Sequence, residues 1–83
     1  MAWKLKTDSY SYADIIFKDG NVRRFYSLDW AHQYSKQRDR EMGLNRLRKL
    51  IYKHGPLIER VTLRENNSAN TLIERYEGSM KIN

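Results

Sequence analysis

The stretch DREMGLNRLRKLIYKHG, Asp39 to Gly55, decides the fold. At about 100° per residue, Leu44, Leu47, Leu50 and Ile51 fall in one stripe, and Arg46, Lys49 and Lys53 fall opposite it. An aliphatic stripe has to be covered, so the segment reads as a helix lying on another layer with its cations turned to water. His54 sits beside the stripe. Lys53 and His54 occupy the last turn, Gly55 suits the C′ position, and Pro56 blocks continuation, so the helical region ends at KHGP.

Immediately upstream, SLDWAHQYSK (residues 27–36) extends the helical reading, with Ser27 or Asp29 as N-cap and Asp29 suited to the positive end of the helix dipole. The two halves then conflict. Trp30, Ala31 and Tyr34 form the apolar face of the first half, but in a straight helix Lys36 and Arg40 line up with Leu44 and Leu47. Three resolutions follow. The helix breaks near Gly43 into two pieces on one sheet, or it stays straight and its first half overhangs, or the unmatched face meets a second molecule. Glycine in a helix interior costs ~1 kcal/mol against alanine, which favours the break.

Further upstream, YSYADIIFKDGNVRRFYS, Tyr10 to Ser27, has aromatic and β-branched residues around Asp19-Gly20 and predicts a β-hairpin. A three-residue loop with a bulge puts Ala13, Ile15, Phe17 and Phe25 on one face. A two-residue loop puts Val22 and Tyr26 with Ala13, Ile15 and Phe17 instead. The first is preferred because it sets Asp14 near Arg24. Trp3 and Leu5 form a short preceding strand or an anchor.

Downstream, LIERVTLRE (57–65) alternates Leu57, Val61 and Leu63 with Arg60, Thr62 and Arg64. The loop NNSAN (66–70) and the strand TLIERYE (71–77) complete a second hairpin. The tetrapeptide LIER occurs twice, but its flanks do not match, so similar strand composition explains it better than duplication. Glu59 and Glu74 approach each other across this hairpin, with Arg60 and Arg75 as their ion-pair partners. The expected fold is therefore α+β and two-layered, ββ-α(α)-ββ. Its antiparallel sheet comes from two hairpins, with a long or Gly43-broken helix packed on one face. It forms a single domain over residues 1–83, with residues 1–8 and 78–83 as loosely held ends.

The 83 residues carry a net charge of +6 and no cysteine, which excludes disulfides and thiolate metal sites. No apolar run approaches a membrane span and the N-terminus lacks a signal-peptide core, so the expectation is an intracellular, cytoplasmic protein without membrane contact. Residues 56–83 are neutral, with four bases and four acids. From Lys36 to Lys53 seven bases face only Asp39 and Glu41, the clustering expected of a polyanion-binding surface.

No catalytic, cofactor or metal signature is present. His32 and His54 are far apart with no carboxylate at ligand spacing, the serines form no nucleophile elbow, and the four glycines build no phosphate loop. The expected role is a non-enzymatic basic binding protein that contacts nucleic acid through Arg23, Arg24, Lys36, Arg38, Arg40, Arg46, Lys49 and Lys53. Arg48 belongs to the same basic run, and Tyr52 is the exposed aromatic beside it. The competing expectation is a protein-binding inhibitor or adaptor, of the kind phages and mobile elements encode against host defences. It would hold an acidic protein surface or form a homodimer through the patch near Trp30 and Tyr34.

Overall fold

The structure, a computed structural model, describes residues 8–32 and 34–83. Among the described residues it is an α+β fold in which five antiparallel strands form a sheet and a helix packs on it. In chain order these are β1 (Ser11–Phe17), β2 (Val22–Tyr26), α1 (Arg40–Lys53), a short 3-10 turn (Gly55–Leu57), β3 (Ile58–Glu65), β4 (Leu72–Glu77) and β5 (Met80–Lys81). The strand order across the sheet is β2-β1-β3-β4-β5. The expected contribution of Trp3 and Leu5 lies outside the described residues.

Ala13 lies opposite Phe25 and Asp14 opposite Arg24, with the three residues Lys18–Gly20 forming the loop between β1 and β2. Gly20 takes a φ of 93°, which a side chain would resist, and its N–H donates to Phe17 O at 3.0 Å. Asp19 accepts from the backbone and side-chain nitrogens of Asn21, both at 3.0 Å. On its other edge β1 pairs with β3, Ala13 against Leu63 and Ile15 against Val61. A bulge at Ile16/Phe17 lets both Ile58 and Val61 turn into the core although they are an odd number of residues apart.

The core lies between the sheet and α1. Ala13, Ile15, Val61, Leu63 and Tyr76 line one face of the sheet, and Leu44, Leu47 and Ile51 from the helix stripe pack on them. Strand alternation sends Tyr12, Asp14, Arg24, Arg60, Thr62, Arg64, Arg75 and Glu77 to the opposite face, away from α1. We refer to the two as the covered face and the open face.

The helical region is shorter than the sequence suggests. It begins at Arg40, and no helix or strand spans the described residues between Ser27 and Asp39. The N-cap is Asp39, not Ser27 or Asp29; its carboxylate accepts from Met42 N at 3.1 Å. Ser27 and Asp29 have the chemistry of caps but spend it on another element. Ser27 N donates to Ser11 O at 2.8 Å and its hydroxyl accepts from Ser11 N at 3.1 Å. Asp29 Oδ2 accepts from Tyr10 N at 2.8 Å, and both residues are fully buried. The start of the segment is thus tied to the start of β1.

Neither the break nor the overhang at Gly43 describes the molecule. The helix passes through Gly43 unbroken, and there is no first half to overhang. Trp30 is 5% exposed in a non-helical segment, so it is part of the packed interior, whereas Tyr34 is 73% exposed. Gly43 is required by space. A Cβ there would overlap Asp29 Oδ1 and lie 2.9 Å from Asp29 Cγ and 3.0 Å from Ser27 Cβ. The glycine marks where the 27–39 segment crosses the helix.

The tail also differs from expectation. Lys81 pairs with Tyr76 and Met80 with Glu77, and Ile82 N donates to Arg75 O at 2.8 Å, so residues 80–82 form the sheet edge. Among the described residues no helix is long and apolar enough to cross a membrane.

Candidate nucleic-acid interface

The cations singled out in the sequence divide into those the fold uses and those it leaves over. Arg24 makes a two-pronged ion pair with Asp14, 2.7 and 3.1 Å, and its guanidinium lies 4.3 Å above the Tyr12 ring. Asp14 holds the Arg24 pKa well above the usual arginine value. Arg38 stacks 4.2 Å over Tyr10 and donates to Asp8 O. Arg40 is ion-paired with Glu65, whose carboxyl is thereby held below the usual range.

Arg46 was expected in water. It is instead half-buried, and Nη1 donates to Leu28 O at 2.9 Å and Trp30 O at 2.7 Å. These carbonyls belong to the segment lacking secondary structure, so Arg46 caps them. Arg23, Lys36, Lys49 and Lys53 are exposed and have no ion pair among the described residues. Tyr52 is 80% exposed and lies between Lys49 and Lys53 on the rim of a shallow groove of about 460 Å³.

On the covered face, Glu74 is 6% exposed. It accepts from Arg48 at 3.1 and 2.8 Å and from the Tyr76 hydroxyl at 2.7 Å, and Lys81 Nζ lies 3.3 Å away. Arg48 pulls the Glu74 carboxyl down to about 2, the Glu74 pair raises the Arg48 guanidinium in turn, and burial pushes Tyr76 up to about 12. Glu74 thus joins helix to sheet. The expected pairing of Glu59 and Glu74 with Arg60 and Arg75 is absent, because Glu74 and Arg75 project from opposite faces of β4 and Glu59 is displaced by the β3 bulge.

The open face holds a second set of cations that sequence reasoning did not select. Arg60, Thr62 and Arg64 follow one another along β3, and Arg75 of β4 lies directly opposite Thr62. Together with Leu72, Glu77 and Ile82 they line a concavity of about 370 Å³. Arg64 donates to Asn70 O at 3.1 Å. Arg60 and Arg75 make no ion pair among the described residues, although Glu77 is the register partner of Arg60. The signal was present in the repeated LIER: each copy ends in an arginine that reaches this face.

The histidines do other work. His32 Nδ1 accepts from Tyr34 N at 3.2 Å, and His54 meets the Phe17 ring edge-on at 6.3 Å. Among the described residues no three His, Cys, Asp or Glu side chains are grouped to hold a metal ion. Comparison with protein-family models, with curated proteins and with solved structures returns no match.

Proposed function

We propose that this is a non-enzymatic small basic protein that binds nucleic acid, alone or within a nucleic-acid–protein complex. The observation that carries the reading is a surplus of exposed cations. Arg23, Lys36, Lys49, Lys53, Arg60 and Arg75 have no carboxylate partner among the described residues, whereas Glu65, Glu74 and Asp14 are already paired. Unpaired cations on a rigid surface gain most from a polyanion, because binding releases the counterions condensed on it.

Fluorescence anisotropy with short DNA and RNA, single- and double-stranded, over a salt series tests the reading. Six phosphate contacts would lower affinity roughly a thousandfold between 50 and 200 mM salt. Absence of binding at 50 mM contradicts it.

One observation favours a second reading, a protein-binding inhibitor or adaptor acting on a larger nucleic-acid enzyme. Tyr52, Pro56 and Met80, the last 72% exposed, line an apolar concavity of about 550 Å³ at the C-terminal end of α1. In that case a nuclease-treated pull-down retains the partner and the anisotropy series is flat.

A further inference from the structure

We infer that the open face of the sheet carries an anion site, formed by Arg60, Arg64 and Arg75 around Thr62, that grips a run of phosphates by their backbone and takes no part in reading bases. The site deepens the nucleic-acid reading by giving it a location and a mode, and it also stands as a phosphate site without that reading.

Position gives the first reason. Arg60 and Arg64 are four residues apart on β3, or about 13 Å at the rise of an extended strand. One strand of a duplex presents about four phosphates over that length of axis. Arg75 sits between them on the neighbouring strand, opposite Thr62. Three guanidiniums therefore face one line of anions from a hydrogen-bonded sheet, with little backbone freedom to lose on binding.

Electrostatics gives the second. Three guanidiniums meet one carboxylate, Glu77, in the concavity. Asp14, also on this face, is occupied by Arg24. Leu72 and Ile82 border the arginines, and the lining is otherwise mainly polar. Guanidinium forks suit the paired oxygens of a phosphodiester better than an ammonium does.

The aromatic residues give the third. Base readout by stacking needs an open ring. Tyr12 is buried, its ring lies under Arg24 and beside Tyr26, and its hydroxyl donates to Asn70 at 2.8 Å. The arginine concavity itself contains no exposed aromatic side chain; Tyr76, which borders it, is directed into the core. Contact with the backbone alone carries no sequence information.

The test uses the full chain and three labelled probes: two duplex DNAs of unrelated sequence and a linear inorganic polyphosphate. Two double variants are compared, Arg60→Ala/Arg75→Ala on the open face and Lys49→Ala/Lys53→Ala on the helix, each checked by circular dichroism and thermal melting. The single variants Arg60→Gln and Arg75→Gln serve if the arginine pair proves unstable.

The expected result is near-equal affinity for the two duplexes, competition by polyphosphate, and at least tenfold weaker binding of all three probes by the arginine double variant. Each Gln variant should lose about threefold, and the lysine double variant less than threefold. Binding of every probe within twofold of wild type in both the arginine double variant and the Gln variants overturns the site, even where nucleic acid binds through the lysines. Failure of all three probes to bind overturns the site, and the separate salt series with single- and double-stranded DNA and RNA then decides the nucleic-acid reading. Polyphosphate binding that depends on Arg60 and Arg75, with neither duplex bound here and no DNA or RNA bound in the anisotropy series, upholds the site and removes the nucleic-acid reading.

Discussion

The Glu74 cluster on one face of the sheet and the Arg60/Arg75 cluster on the other use the same kinds of side chain for opposite ends. On the covered face, charges meet each other: Arg48 and Lys81 converge on Glu74, and Arg40 on Glu65, so helix and sheet are joined by ion pairs around an aliphatic core. On the open face, Arg60 and Arg75 stand beside Arg64 with no carboxylate bound to them among the described residues. Glu74 and Arg75 are adjacent in sequence, yet one is buried in the first set and the other exposed in the second. Net charge alone does not distinguish the two; the pleat of the strand does. A cation count therefore overstates a binding surface wherever part of it holds the fold together.

This comparison can be broken at several points. The largest expected effect is on the covered side, at Gly43→Ala. In an exposed helix interior this change stabilises by ~1 kcal/mol. Here the new methyl would overlap the buried Asp29 carboxylate. The expected outcome is a net loss of about 3 kcal/mol, at the upper end of the cost of overpacking, read from the urea midpoint. An increase in stability would mean that the 27–39 segment does not cross the helix there.

Next is Arg48→Ala, which leaves the Glu74 carboxylate largely buried with Lys81 and Tyr76 as its remaining partners. The expected loss is about 2 kcal/mol, below the range for fully buried pairs because Arg48 keeps contact with water. DNA affinity should change less than threefold.

The pH dependence follows from the same group. Glu74 titrates at about 2 in the fold against 4.5 for the free side chain. The lowered pKa means its contribution is complete above about pH 4.5 and is lost as pH falls toward 2. Glu65, lowered by Arg40, acts in the same direction. Thermal melts of wild type between pH 6 and 2 should therefore drop more steeply than those of Glu74→Gln, which should start lower and change less.

The smallest effect belongs to the open face. Removing the one carboxylate in the arginine concavity by Glu77→Gln should tighten duplex binding about twofold and leave the melting temperature within about 1 °C, as for an exposed surface change. Weaker binding would mean that Glu77 orients Arg60 and does not compete with the ligand.

Much of the layering was legible from periodicity. The leucine stripe of α1 and the alternation of Val61 and Leu63 in β3 are local patterns that correspond to the faces that pack, whereas Leu57, expected inside with them, is 62% exposed in the 3-10 turn and Ile58 is buried in its place. The start of the helix was not legible. Ser27 and Asp29 carry the side chains of helix caps, and only their contacts with Ser11 and Tyr10, sixteen and nineteen residues away, show that the capping chemistry serves β1. The role of Gly43 is non-local in the same way: a preference for a helix break and a need for close approach write the same letter.

The candidate site divides likewise. Lys49, Tyr52 and Lys53 were identifiable from helix phase and are exposed, whereas Arg46 was assigned to water and instead binds two carbonyls contributed by residues 28 and 30. Arg60, Arg64 and Arg75 looked like the unremarkable polar side of two strands, because their grouping depends on the bulged pairing of β3 with β4.

The most direct measurement is an NMR titration of the 15N-labelled protein with a short DNA duplex, following arginine Nε–Hε signals. The account predicts that Arg60, Arg64 and Arg75 shift together and saturate at one equivalence point, while Arg40 and Arg48, held by Glu65 and Glu74, stay in place. Saturating shifts confined to the Lys49–Lys53 ridge, with the open-face arginines unmoved, would contradict it.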